Sequence, residues 1–348
     1  MTRQSFSPHS ENNLCHAGRA VALGTATLLA ALALLLSPAP AGALGPYPSL
    51  GTCQVFPDPP ASLSPRAPSL PTQAAWNQDV SKAPRHPRSA AIVAYVNRHG
   101  GDFLHPDFGS PRAYGIPYAV VGKGQRRLPV AYAAYGEESD PGPFPVPGAA
   151  PVEGGRRSDG DRHVLVVDRS DCKLYELYRG FFEPRPRPHW NADSGVAWNL
   201  RSARLRPRGW TSADAAGLPI FPGLVRYDEV AAGRLDHAIR VTFSSTRDAA
   251  IPPATHCAGA TRAANAPPLG LRLRLRRRYG LGRFHGAAKV IARAMKRYGL
   301  IVADNGSNWY VGGSSDRRWD DEDLDQLKRI PGRAFEVVRS AAGASPRC

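Results

Sequence analysis

The chain has 348 residues, room for one large domain or two ordinary ones. Its 34 glycines and 34 prolines argue against a helical bundle and for a loop-rich, β-rich protein. The formal charge of +16, carried mostly by arginine, would draw it to anionic polymers, but no aromatic residues interleave with the basic runs as they do in single-strand nucleic-acid binders.

Arg3 and Arg19 precede an apolar run from Ala20 to Leu36, which Pro38, Pro40 and the triplet Ala41-Gly42-Ala43 close. This layout predicts a secretory signal peptide over residues 1–43 rather than a membrane anchor. No second apolar span follows, so no stable membrane insertion is expected after cleavage and the protein reads as extracellular or wall-associated. Residues 44–75 are rich in Pro, Ser and Ala and read as a linker. Residues 76–340 form the expected secreted domain and 341–348 its tail. Export places Cys53, Cys172, Cys257 and Cys348 in an oxidising compartment; of three possible pairings, Cys53–Cys172 with Cys257–Cys348 is favoured. Their spacing fits neither a redox nor a structural zinc motif, and no cofactor is implied.

Within the domain, Ser89 to Arg98 has helical apolar spacing and stops at Gly100-Gly101. Tyr114–Val121 and Leu128–Tyr135 read as strands, with Pro117 forcing an edge or a bulge. His163–Asp168 and Lys173–Phe182 flank the tight turn Arg169-Ser170-Asp171 and make the clearest hairpin. Val196–Leu200 is a short strand. From Gly209 to Phe243 polar and apolar residues interleave: a polar turn, a Gly/Pro-punctuated apolar segment, a short helix from Asp228 to Ala232, and a strand carrying His237, Arg240 and Thr242. Leu269–Leu275 alternates apolar residues with arginines, which predicts a half-buried strand with its Arg face in solvent. Ala287, Val290, Ile291, Ala294, Met295 and Tyr298 form one helical stripe ended by Gly299. Leu300–Ala303 and Trp309–Val311 read as strands, and Asp320–Ile330 as a helix with acids in its first turn. The fold class expected is α+β, mostly β: a single β-sandwich-like domain with two or three packing helices.

Several runs resemble a family of secreted, mostly bacterial proteins to which no activity is assigned. They are LHPDFG (Leu104–Gly109), GIPY (Gly115–Tyr118), DRHVLVVD (Asp161–Asp168), CKLYELY (Cys172–Tyr178), GWTSADAAGLPIFPGLVRYDEV (Gly209–Val230), DHAIR (Asp236–Arg240), GLRLRL (Gly270–Leu275) and YGLIVADNGS (Tyr298–Ser307). The likeness spans roughly residues 76–338 and implies one exported domain, without catalytic residues to carry over. Two stretches depart from the family: the Pro/Arg-rich Glu183–His189, and Ile251–His256 (IPPATH), where Thr255 stands at a position the family fills with Arg.

Paired carboxylates are the leading chemical candidate. Glu176 lies mid-strand among apolar neighbours, where desolvation would raise its pKa toward that of a general acid, with Asp214 or Asp304 as ionised partner. Trp190, Trp198, Trp210, Trp309 and Trp319 would suit stacking on sugars where exposed. A histidine set (His105, His163, His237 and His256) could hold a metal, although no short-spaced pair supports it. His163 or His237 could instead act alone beside a Tyr and an Arg, as in a lyase. Ser212 has no triad partner nearby and no nucleophile elbow. The reading is therefore a secreted glycan hydrolase or lyase acting on cell-wall or extracellular polysaccharide. Glu176, Asp214 and His237 would be catalytic, with Arg240, His163, Trp210 and Asp304 binding substrate. A non-catalytic wall- or glycan-binding protein is the alternative; oligomeric state is not legible.

Overall fold

A computed structural model describes residues 45–53, 55, 75–109, 115–202 and 204–339. The expected signal peptide, most of the linker, the tail and Cys348 lie outside the described residues. Among the described residues strand accounts for 25% and helix, 3-10 turns included, for 17%, with four α-helices, which makes the fold α+β and mostly β.

The central layer is a four-stranded sheet in the order β1-β3-β4-β7, formed by β1 (Tyr118–Val121), β3 (Val164–Asp168), β4 (Lys173–Tyr178) and β7 (Ser194–Asn199). β1 runs parallel to β3; β3, β4 and β7 are antiparallel. The hairpin turn between β3 and β4 is set locally: Ser170 N–H donates to Asp168 Oδ1 at 3.0 Å, and Cys172 holds a positive φ of 51°. Cys172 is bonded to Cys53, which ties the N-terminal arm to the hairpin as expected. Both faces of the sheet are covered. Leu165, Val167, Leu174, Val196 and Trp198 point into the larger core. Val164, Val166, Tyr175 and Leu177 point into a smaller one with Phe144, Val146 and Trp190. Burial on both faces explains why β3 is a continuous apolar run rather than an alternating one. Each fully buried Leu or Val there contributes about 1.5–3 kcal/mol.

The smaller core is closed by a three-stranded sheet of β2 (Val130–Tyr132), β6 (His189–Ala192) and β5 (Phe181–Glu183), in that order. The second strand expected from sequence is thus much shorter than Leu128–Tyr135. The Pro/Arg-rich stretch ends in β6.

The larger core lies against a five-stranded sheet, β13-β8-β12-β11-β14. Its members are β8 (Ile239–Phe243), β11 (Arg272–Leu275), β12 (Leu300–Asn305), β13 (Tyr310–Val311) and β14 (Phe335–Val337). β8 and β12 are parallel, and the chain between them passes through a small parallel pair, β9 (Arg247–Ala250) and β10 (Pro268–Leu269), and through α3 (Gly286–Arg297). α3 buries Ala288, Ile291, Ala292, Ala294 and Met295, so its inner face is turned toward the alanines from the predicted stripe. Gly299 ends it at φ 77°, where a Cβ would meet Leu273 O at 2.1 Å. α1 (Ser89–Arg98) matches its predicted span, α2 (Tyr227–Ala231) begins one residue early, and α4 (Asp321–Asp325) is capped by the Asp320 side chain before a 3-10 turn.

One expectation is overturned. β11 has no solvent-facing arginines: Arg272 and Arg274 are both buried. Arg272 donates to the carbonyls of Gln78, Tyr298 and Ala75, and Arg274 to Val80 O and Glu336. A guanidinium carries five donors, so these residues fasten the 75–80 arm to the sheet instead of meeting water.

Candidate functional site

Residues 211–226 are almost entirely buried yet contain no strand and only one 3-10 turn, Phe221–Gly223. A buried irregular chain must find partners for its backbone outside regular ladders. Side chains supply them. Glu176, on β4 and facing the larger core, accepts from Ile220 N–H at 2.9 and 3.1 Å and Phe221 N–H at 2.9 Å, which caps the 3-10 turn. Its Oε2 also accepts from Trp198 Nε1 at 3.0 Å, across the β4–β7 pair. Ser194 Oγ donates to Ser212 O, and Ser212 Oγ accepts from Asp214 N–H and donates to Leu218 O at 2.6 Å. Thr255 Oγ1 reaches Trp210 O and Gly217 O; Gly217 has φ 69°, and a Cβ there would strike Thr255 and Trp210 O. Thr255 thus serves the loop directly.

His163 bridges outward from the same loop. Its Nδ1 lies 2.5 Å from Glu153 Oε2 and its Nε2 2.9 Å from Ala213 O. Burial opposes its charge, but the Glu153 carboxylate more than offsets this and holds the imidazole pKa up at about 9. Both ring nitrogens then donate, one to carboxylate and one to carbonyl. A histidine pKa raised from 6.5 gives stability that is full below pH 6.5 and lost as pH climbs through about 9, about 3 kcal/mol in all. Urea titrations between pH 6 and 10 should show that loss in the wild type and not in His163→Gln. Equal pH slopes would remove the charge from this account.

The titratable cluster with an open edge is Asp214, Arg240 and Asp304. Asp214 has no exposed side-chain surface; its Oδ2 accepts from Arg240 Nε at 3.2 Å and Nη2 at 3.1 Å. The same Nη2 lies 3.4 Å from Asp304 Oδ2, and the Asp304 side chain is 20% exposed. Asp214 Oδ1 has no hydrogen-bond partner among the described residues. One guanidinium faces two carboxylates, so one negative charge is left over. Burial first, and mutual repulsion with it, raises the pKa of Asp214 well above the carboxylate range. Asp304 is raised as well, by burial and in part by the charge of exposed Asp161. Tyr178 stands at the same edge, 5.7 Å from the His163 ring, with its hydroxyl pKa pushed up by burial and by Asp161.

Asp304 reaches Arg240 because of an irregularity in β12. Ile301 pairs with Arg240 and Val302 with Val241, but Asp304 pairs with Thr242, so Ala303 is an extra residue in the strand. Unbroken alternation would put Asp304 on the face of Leu300 and Val302. The bulge turns it to the face of Ile301 and Arg240, near the carboxyl ends of the parallel β8 and β12, where open sheets place their ligands.

The comparisons add no relative. No family model, curated protein or solved structure matches the chain.

The residues expected to form one site therefore divide. Asp214, Arg240 and Asp304 meet, with His163 beside them. Glu176 has both oxygens engaged by N–H donors, and burial pushes its pKa to about 7 in spite of them. His237 is buried with its Nδ1 2.7 Å from Ala238 O and its Nε2 3.3 Å from Glu229, which also pairs with Arg226; neither partner is Glu176 or Asp214. The tryptophans do not offer sugar platforms: Trp190, Trp198, Trp309 and Trp319 are buried in the cores, and Trp210 is half-buried under the Arg206 guanidinium at 5.1 Å. The four histidines have separate partners, and among the described residues no group of three or more His, Cys, Asp or Glu stands together as a metal centre. Glu153 and Asp161 carry no sequence signal for this site: both are loop residues, and the contact of Glu153 with His163 and the influence of Asp161 on Asp304 arise only in the folded chain.

Proposed function

We propose that this is a secreted carbohydrate-active enzyme, a glycan hydrolase or lyase acting on cell-wall or extracellular polysaccharide, with Asp304 as the group that moves the proton. One observation carries the reading: a carboxyl at the open edge, its side chain 20% exposed, shares a single guanidinium with a fully buried one, and burial raises the pKa of this accessible member above the usual carboxylate value. Carboxyls whose environments differ are what acid–base cleavage of a glycosidic bond requires. In this reading Asp304 touches substrate, Asp161 supplies the second carboxylate at the surface, and Asp214 and Arg240 are positioning residues that act through Asp304.

On a glycan panel, Asp304→Asn is expected to lower product release by about a hundredfold or more, the size of a lost general acid. Its melting temperature should stay near that of the wild type, because the contact with Arg240 is long, 3.4 Å, and an amide oxygen at the same place can still accept from the guanidinium. Wild-type turnover in Asp304→Asn would overturn the assignment. The non-catalytic alternative draws on Glu176 and His163 being committed to backbone groups; retention of wall polymer with no product from any glycan would favour it.

A further inference from the structure

Past the end of β11 the chain makes a turn, Arg276–Tyr279, closed by Tyr279 N–H to Arg276 O at 2.9 Å. With the 3-10 segments around Arg329 and Arg333 it borders an open pocket of about 650 Å³, within the usual range for small-ligand sites. Arg276, Arg278, Arg283, Arg329 and Arg333 line it, and no carboxylate does. This charge is not scattered over a solvated face; it converges on one concavity. Phe103, 44% exposed, forms an apolar wall beside Pro331. The basic wall is held in place: the Arg283 guanidinium donates to Tyr279 Oη and to Arg329 O, and lies 5.6 and 5.3 Å from the Tyr279 and Phe284 ring centres. β11 is antiparallel to β12 with Leu273 opposite Leu300, so this pocket sits beyond the start of β12 and Asp304 near its end.

We infer that this pocket binds a short stretch of acidic oligosaccharide, its carboxylate or sulfate groups forked by arginines and a sugar face against Phe103. Arginine presents paired donors that match planar and tetrahedral oxyanions. A single exposed aromatic at the wall of an open, arginine-lined pocket suits one or two sugar rings, whereas single-strand nucleic-acid binders spread several stacking residues along a basic groove. The site goes beyond the chemistry assigned to Asp304 and does not depend on it.

Calorimetry on the full chain at low salt tests this, with trigalacturonate (carboxylate only), a heparin-derived tetrasaccharide (sulfate and carboxylate), neutral cellotriose and a twelve-residue oligothymidylate as probes. Binding is expected for the two acidic sugars and not for cellotriose; which of the two binds better identifies the oxyanion. Arg278→Glu with Arg333→Glu should weaken the acidic sugars by at least about tenfold, the scale of lost charge-assisted contacts. Arg126→Glu with Arg157→Glu, an equal charge change at exposed positions outside the pocket, should leave affinity within about threefold. Phe103→Ala should weaken sugar binding as well. Equal losses in the two double variants, failure to bind either acidic sugar, or tighter binding of the oligothymidylate would each overturn the proposal.

Discussion

Glu176→Ala is expected to cost about 3–5 kcal/mol of folding stability. The change strands three buried donors, Ile220 N–H, Phe221 N–H and Trp198 Nε1–H, and each unpaired donor costs about 1–3 kcal/mol. Glu176→Gln keeps one oxygen for the 3-10 cap and should cost less. Urea unfolding separates the two variants. The wild type should also show a pH signature. With its pKa raised from 4.5 to about 7, the folded carboxyl keeps its proton where the unfolded one has lost it. Stability therefore falls as pH rises from about 4.5 to 7, by about 3 kcal/mol at most, and Glu176→Gln should lack that slope. This window lies below the one set by His163. A Glu176→Ala protein that folds with wild-type stability but has lost turnover would return this residue to the chemistry.

Arg240→Met is expected to be comparably severe, about 3–5 kcal/mol, since removing one partner of a buried pair leaves an uncompensated charge. Asp214 has no exposed side-chain surface and would lose its cation outright. Adding Asp214→Asn to Arg240→Met should restore part of the loss, and the double-mutant cycle measures the coupling directly. Strictly additive losses would mean that the contact contributes nothing specific.

These effects bear on how much was legible beforehand. The β3–β4 hairpin and α1 follow from local signals, an Asx turn and apolar periodicity, and the Cys53–Cys172 bond agrees with the pairing favoured from the cysteine count of a sequence read as exported. The 211–226 segment was visible as polar residues among apolar ones, but its meaning was not. Its hydrogen bonds come from Glu176, Ser194, His163 and Thr255, which are distant in sequence. Most of that polarity serves buried backbone rather than a substrate. Arg272 and Arg274 misled for a related reason: alternation reveals a two-faced strand, not whether protein or water covers the polar face.

The extra residue at Ala303 carries a consequence for comparing sequences of this kind. Asp304 faces Arg240 through the count of residues in β12, not through the identity of any one of them. A chain one residue shorter there would keep its aspartate in a column-by-column comparison while burying it on the wrong side of the sheet. Preserved letters would then mask a lost arrangement, and strand length becomes the quantity that tracks this chemistry across divergent chains.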